Sequence, residues 1–528
     1  MIEFVAPGRD LTAERAHRLA RSRSTAWDDT FVAAALGTGI VCLPSCAARL
    51  PELADCRFFP SYAAAVACGL RPCSRCRPEE RSPLSGGDLR RGNLLDRAVL
   101  QLRNGAVDDA GVAGLAAELA VSERHLRRLF LEHVGATPQQ VNRARRALTA
   151  RTLIESTSLP LGDVAGLAGF GSLRQFNEVM RAEFGRAPSE MNRQRQPAPP
   201  AGAGSRGLVS LTLRVPVPRP YAMEAMRRFR RYHAVPGLEA LTPDLSQHAR
   251  VLSAPGGPAS FVVVWPEPDA DRFAVRCHLS CPGDLGGVYA LLRRGLDLDA
   301  PASRIDATLT ADPLLAPLIA ARPGVRVPGI LNGAEAALFS VLGQQVSAAQ
   351  ARERKIRLVE RFSPVAFPEG DRSSLAHLRL SPDPVWIADR GAEGLSADLR
   401  IGLPRARALW SLAVALSRGL DLSWGADPDR ARRELADIPG IGPWTTEMVC
   451  LGAIGDRDSF TADDPVAQRA LGVTSAQQAV RRAAAWRPWR GYALMHLWLA
   501  GAPSDASASA KDRTGSAAAA AAARTHGS

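Results

Sequence analysis

The residues best suited to chemistry in this chain are its cysteines. There are nine, and six of them fall between positions 42 and 76. Four form two close pairs, Cys42-x3-Cys46 and Cys73-x2-Cys76. Two such pairs separated by a few tens of residues are how a small domain builds a tetrahedral four-thiolate zinc site. In a cytosolic protein a tight cluster reads as a metal site more readily than as disulfides. The prediction is one Zn2+ on Cys42, Cys46, Cys73 and Cys76, with Cys56, Cys68, Cys277 and Cys281 as packed thiols. A second candidate is Ile438-Pro439-Gly440-Ile441-Gly442-Pro443-Trp444-Thr445, between predicted helices 429–435 and 446–451. A Gly-rich hairpin beside a helix N-terminus offers backbone N–H groups to a DNA phosphate. Glycine is needed where that phosphate must approach the backbone closely. The acidic pair Asp463-Asp464 follows about twenty residues later.

The elements that must position these groups can be read from periodicity and punctuation. The chain has 528 residues, more than one core normally supports, so several domains are expected. A Pro/Gly/Ala stretch at 196–206 reads as a linker, and 503–528, rich in Ser and Ala, reads as a disordered tail. A shorter break lies at 82–91. Between these cuts, 93–195 carries two helix pairs, 112–120 with 123–134 and 161–168 with 172–184, joined by a long helix over 138–155. Ser172-x-x-Gln175 has the form of a capping box. Helix, short turn, helix is the architecture that lays a recognition helix in the major groove. Arg124, Arg127 and Arg128 fall on the first such helix, and Arg174, Gln175 and Asn177 on the second. Arg can read guanine, and Gln or Asn can read adenine. Strand-like runs at 208–215, 261–265 and 274–279 with a helix over 223–232 predict a small antiparallel α+β unit.

Three resemblances extend this reading. Thr38-Gly39-Ile40-Val41-Cys42-Leu43-Pro44-Ser45-Cys46 and Gly69-Leu70-Arg71-Pro72-Cys73-Ser74-Arg75-Cys76 resemble the N-terminal zinc domain of the Ada family. That resemblance implies that Cys42 accepts a methyl group from a DNA methylphosphotriester and that Arg71 contacts DNA. Zinc would keep the nucleophilic sulfur deprotonated, and methylation would remove one negative charge, so affinity for DNA phosphate would rise. Phe170-Gly171-Ser172, Phe176, Phe184-Gly185 and Pro188 resemble the AraC/XylS type of DNA-binding domain. The hairpin with Asp463-Asp464 resembles the helix-hairpin-helix DNA glycosylases. Leu342-Gly343-Gln344-Gln345-Val346-Ser347, Arg487-Pro488-Trp489-Arg490-Gly491-Tyr492-Ala493 and His496-Leu497-Trp498 narrow it to the AlkA type of 3-methyladenine glycosylase.

That last resemblance implies roles residue by residue. Asp464 would be the catalytic carboxylate, supporting the oxocarbenium-like sugar as the N-glycosidic bond breaks. Trp498 and Trp444 would line a pocket that suits a cationic base. Gln345 would fill the gap left by the flipped nucleotide. Gly440, Gly442 and Thr445 would contact the DNA backbone. Ala462 stands where the family usually has Pro. Trp444 stands where bifunctional lyases carry Lys, and the only lysines are Lys355 and Lys511, so a monofunctional glycosylase is expected. The second Ada methyltransferase domain is missing, so no repair of O6-methylguanine is expected.

The assembled expectation is a multidomain protein, mainly α with smaller α+β parts. It comprises a four-cysteine zinc domain (1–82), an AraC-type double helix-turn-helix domain (90–195), the linker, a small antiparallel α+β domain (207–300) and an all-α helix-hairpin-helix glycosylase domain (301–502). The expected function is an adaptive response to DNA alkylation. It combines suicidal methyl transfer from methylphosphotriesters, transcription activation at a promoter and hydrolysis of alkylated bases. The alternative is a non-enzymatic regulator whose C-terminal half only binds DNA. A net charge of +13 agrees with double-stranded DNA as the main partner, and RNA polymerase is a further expected one. No apolar run reaches transmembrane length and the N-terminus lacks an apolar signal core, so the expected location is the cytoplasm, at the nucleoid.

Overall fold

A computed structural model describes residues 12–28, 30–80, 94–103, 106–157, 159–193, 209–266, 270–366 and 375–501. The predicted break at 82–91, the linker and the tail lie outside the described residues.

The cysteine-rich segment forms a four-stranded sheet. β1 (Val32–Ala35), β2 (Ile40–Cys42), β3 (Cys56–Phe59) and β4 (Arg71–Pro72) lie in the order β3-β1-β2-β4. β1 pairs antiparallel with β2 and β3, and β4 runs parallel to β2. Helix Ala13–Arg21, N-capped by Thr12, and helix Tyr62–Ala67, N-capped by Ser61, flank it. Each cap oxygen accepts a backbone N–H that the first helical turn leaves without a partner.

The Arg-rich segment is helical, and its helices lie close to where periodicity puts them. The helical stretch Ala106–Glu118, broken at Gly111 (φ 66°), precedes Glu123–His133, and Leu161–Leu167 precedes Leu173–Phe184. Helix Pro138–Ser156 joins the pairs, opened by a full capping box between Thr137 and Gln140. The expected box at Ser172 forms only by half. Ser172 Oγ accepts from Gln175 N at 3.1 Å, but Gln175 Oε1 accepts from Gly171 N rather than from Ser172. The core holds Leu115, Ala116, Leu119, Leu126 and Phe130 in the first unit, and Phe170 against Phe176 in the second.

The α+β unit is a five-stranded antiparallel sheet of β5 (Val209–Pro216), β6 (Glu239–Leu241), β7 (Gln247–Ala254), β8 (Gly257–Val264) and β9 (Arg272–Leu279). Their order is β5-β9-β8-β7-β6. The sequence reading missed β6 and β7. β7 carries His248 and Arg250 among its buried positions, which breaks the apolar pattern. Glu239 on β6 takes both, at 2.8 Å and 2.9 Å, and Glu335 also pairs with Arg250. Buried charges survive because they are paired and hydrogen-bonded.

Two apolar clusters organise the rest. One joins the sheet to helices Leu285–Gly295 and Ala302–Leu309 and to the C-terminal helix Arg490–Gly501. It also takes in Leu153 and Ile154 of the joining helix and Phe176 of the second helix pair, so the Arg-rich segment and the sheet share one core. The other unites helices Gly333–Leu342, Ala348–Phe362, Leu403–Ser417 and Pro428–Ala436 with the segment that follows the hairpin. Among the described residues, no helix is long and apolar enough to cross a membrane.

Candidate functional site

The four paired cysteines converge. Their Sγ atoms all lie within 4.8 Å of one another. Strand pairing explains how: β2 and β4 run side by side, and Cys73 N donates to Val41 O at 2.9 Å, which aligns the two knuckles. Each knuckle is closed by its own backbone bond, Cys46 N to Leu43 O and Arg77 N to Cys73 O. Two further N–H groups reach sulfur, Leu43 N to Cys76 Sγ and Ala48 N to Cys46 Sγ, both at 3.4 Å. Burial pushes the Cys46 thiol up to about 11, and the contact with Cys42, together with burial, pushes Cys76 higher still. Four sulfur donors this close together, on two knuckles, make the ligand set of a structural zinc site, so the donor set fits one zinc ion. Cys42 is half-buried, while Cys46 and Cys73 are buried.

Asp28 lies outside both cysteine pairs and carries no motif of its own. It is buried and accepts from Ser45 N at 2.9 Å and Ser45 Oγ at 2.7 Å, holding the first knuckle. Arg71, expected at DNA, is exposed, and its guanidinium lies against Gly185 at the end of the second recognition helix. Arg77, next to a ligand, donates to Glu155 of helix Pro138–Ser156 at 2.9 Å and to Glu80 at 2.7 Å.

On the first recognition helix Arg124, Arg127 and Arg128 are exposed and line a shallow groove with Ser122, His125 and Glu132. On the second, Arg174 and Gln175 are exposed and Asn177 is half-buried. Arg174 pairs with Glu178 at 2.9 Å, and Asn177 Nδ2 donates to Leu173 O at 2.8 Å.

The hairpin lies between helices Pro428–Ala436 and Pro443–Val449. The second starts three residues before the sequence reading placed it, because Pro443 sits in the first turn, where its missing N–H costs nothing. Gly440 has φ 86°, and a Cβ there would stand 2.5 Å from Ala408 Cβ, so only glycine fits. Gly442 caps the helix and is exposed. Thr445 is buried, with its hydroxyl turned to Gln344 Nε2 at 2.8 Å.

Asp464 is buried at the start of helix Pro465–Leu471. Its Oδ1 accepts from Val466 N at 3.0 Å, Ala467 N at 2.9 Å and Trp498 Nε1 at 3.3 Å. Trp444 Nε1 stands 3.5 Å from Oδ2. The structure thus brings together three residues, Trp444, Asp464 and Trp498, that the sequence spreads over about fifty positions. A helix N-terminus and two indole N–H groups thus surround one carboxylate. Gln345, the expected wedge, is exposed at φ 50°, a left-handed conformation that costs energy for a side chain.

Comparison with known proteins agrees with each part. Three family descriptions match: "Metal binding domain of Ada" over residues 15–79, "Helix-turn-helix domain" over 115–194 and "AlkA N-terminal domain" over 212–332. A Mycobacterium tuberculosis protein named "Probable bifunctional transcriptional activator/DNA repair enzyme AlkA" is 38% identical over 493 residues, spanning 92% of this chain and 96% of its own. DNA-3-methyladenine glycosylase 2 of Escherichia coli is 37% identical over 183 residues, 34% of this chain and 61% of its own. The bifunctional transcriptional activator/DNA repair enzyme Ada of Escherichia coli is 34% identical over 139 residues, 26% of this chain and 38% of its own.

Proposed function

From the premise that the chain belongs to the family of bifunctional transcriptional activator/DNA repair AlkA proteins, we propose that it carries two repair chemistries and a promoter switch. In this reading residues 1–82 form the methyl acceptor, 90–195 the promoter-binding unit, and 207–300 with 301–502 the glycosylase. The location is the cytoplasm, at the nucleoid, and RNA polymerase is the partner at the promoter.

At the first site Cys42 attacks the methyl carbon of a methylphosphotriester. An S–C bond forms, the C–O bond to phosphate breaks, and its electron pair leaves as the phosphodiester anion. Zinc bound to the four sulfurs supplies the thiolate state. The half-buried setting of Cys42 lets a substrate reach it, and nothing regenerates the thiol, so each chain reacts once. The thioether carries one negative charge fewer, which lowers repulsion from DNA phosphate and turns repair into a signal. Arg124, Arg127, Arg128, Arg174, Gln175 and Asn177 then contact the promoter, with Arg71 beside them.

At the second site an alkylated purine such as 3-methyladenine leaves as a base that is already cationic and needs little acid help. Asp464 supports the positive charge that develops on the sugar. Trp498 and Trp444 face the base and hold the carboxylate by their N–H groups. Gln345 fills the gap in the duplex, while Gly440 and Gly442 with the backbone of Thr445 receive the strand's phosphate. With Trp444 where a lyase needs Lys, the reaction stops at base release. The observation that carries the enzyme reading is the convergence of both indoles on Asp464. Purified protein should release free 3-methyladenine from methylated DNA, and Asp464→Asn should not. Equal release by that variant would overturn the assignment.

A further inference from the structure

The loop bearing Gln345 is tied down on both sides. After it, Ser347 and Gln350 form a full capping box at the start of helix Ala348–Phe362. Before it, Gln344 spans to the hairpin: its Nε2 donates to Gly440 O at 3.1 Å and to Thr445 Oγ1 at 2.8 Å. Arg405 Nη2 donates to Gln344 O at 2.7 Å from helix Leu403–Ser417, the helix whose Ala408 lies under Gly440. Loop, hairpin and helix thus meet at one half-buried residue, the hairpin at its side chain and the helix at its backbone carbonyl, about a hundred residues from the hairpin in sequence. The neighbouring Gln345 is held in a left-handed conformation, which persists only where its surroundings over-determine it.

We propose that Gln344 is a positioning residue for nucleotide flipping. It couples the phosphate seat of the hairpin to the wedge, so that anchoring the strand and inserting Gln345 are one rigid event. The proposal rests on the glycosylase reading for the identity of wedge and hairpin. The chemistry behind it is specific: Gly440 O can only accept, so the bridging side chain must donate to it, and the second N–H of the same amide reaches the Thr445 hydroxyl. A displacement of the reacting groups by about 1 Å is worth up to a hundredfold in rate, so a slack tether should be visible.

The test reads insertion separately from bond cleavage. Full-length protein is bound to a duplex holding a tetrahydrofuran abasic analogue opposite 2-aminopurine, whose fluorescence rises when a wedge unstacks it. Affinity is measured on the same duplex by anisotropy. Gln344→Met and the isosteric Gln344→Glu should each cut the fluorescence rise at saturation about tenfold, while affinity and melting temperature change little. On methylated DNA, kcat for base release should fall in proportion and KM should hardly move. Thr445→Val should give a smaller loss, and its combination with Gln344→Met should be less than additive, because both remove the same bond. Full insertion by both Gln344 variants would overturn the proposal. So would a loss of insertion matched by loss of affinity or of melting temperature, or full additivity with Thr445→Val, or a wild-type chain that inserts nothing. A wild-type chain that inserts normally yet releases no base would instead sink the glycosylase reading and leave this proposal standing.

Discussion

Trp498 donates its indole N–H to Oδ1 of Asp464 at 3.3 Å, so in the proposed site one residue would both face the base and hold the carboxylate beside it. Ring and N–H are separable by substitution. Trp498→Phe keeps an aromatic face and removes the donor, and should slow single-turnover base release about tenfold. Trp498→Ala also removes the surface for a cationic base and should cost at least tenfold more. Equal rates for the two variants would show that the N–H, rather than the ring, is the part that matters.

Asp28 fixes the knuckle that carries Cys42 and Cys46 through two bonds to Ser45. Groups that orient metal ligands typically tune affinity by about 10–100-fold. Asp28→Ala should therefore retain one zinc per chain but surrender it to a chelator at correspondingly lower concentration. Stripping the zinc should abolish methyl acceptance and leave base release intact, since the two sites share no ligand.

The recognition helices make different predictions for charge and for sequence reading. Arg124→Ala and Gln175→Ala should each weaken promoter binding by about 1–3 kcal/mol if they read a base, and should relax preference at one position of the site. Arg127→Ala should weaken promoter and unrelated DNA alike if it meets only phosphate, with the salt dependence falling by about one unit. Footprints and salt titrations of the methylated protein check both.

His496 sits in the C-terminal helix, fully buried, and burial with the nearby Arg322 charge holds its imidazole down at about 4. The folded protein therefore prefers the neutral ring, while the unfolded chain takes up a proton near 6.5. Stability from this group is complete above about pH 6.5 and is lost as pH falls toward about 4, at most on the order of 3 kcal/mol. Melting temperature should drop over that window, and His496→Leu should flatten the drop.

Much of this architecture is legible in the sequence because the signals are local. Cys42-x3-Cys46 and Cys73-x2-Cys76 announce a metal cluster by spacing, and the structure closes it to within 4.8 Å. The helices of the Arg-rich segment follow from a 3.6-residue apolar period, and the structure adds side-chain caps at Ser122 and Thr137. Legibility fails where a buried position is polar: β7 hides its strand pattern because His248 and Arg250 find their partners on β6 and on a helix far along the chain. The same holds for Asp28 and Gln344, whose importance lies in contacts that no spacing encodes. Gln175 is an instructive middle case. Its spacing from Ser172 signals the helix start correctly, yet its side chain settles one residue further back, on Gly171.

Two independent repair chemistries on one chain are separable by the partition of a labelled methyl group. DNA methylated with a radioactive methyl donor is incubated with wild type, Cys42→Ala and Asp464→Asn, and label is followed into protein and into free base. Wild type should show both, with protein label on Cys42. Cys42→Ala should lose only the protein label, and Asp464→Asn only the free 3-methyladenine. Label on protein in Cys42→Ala, or undiminished base release by Asp464→Asn, would contradict the account.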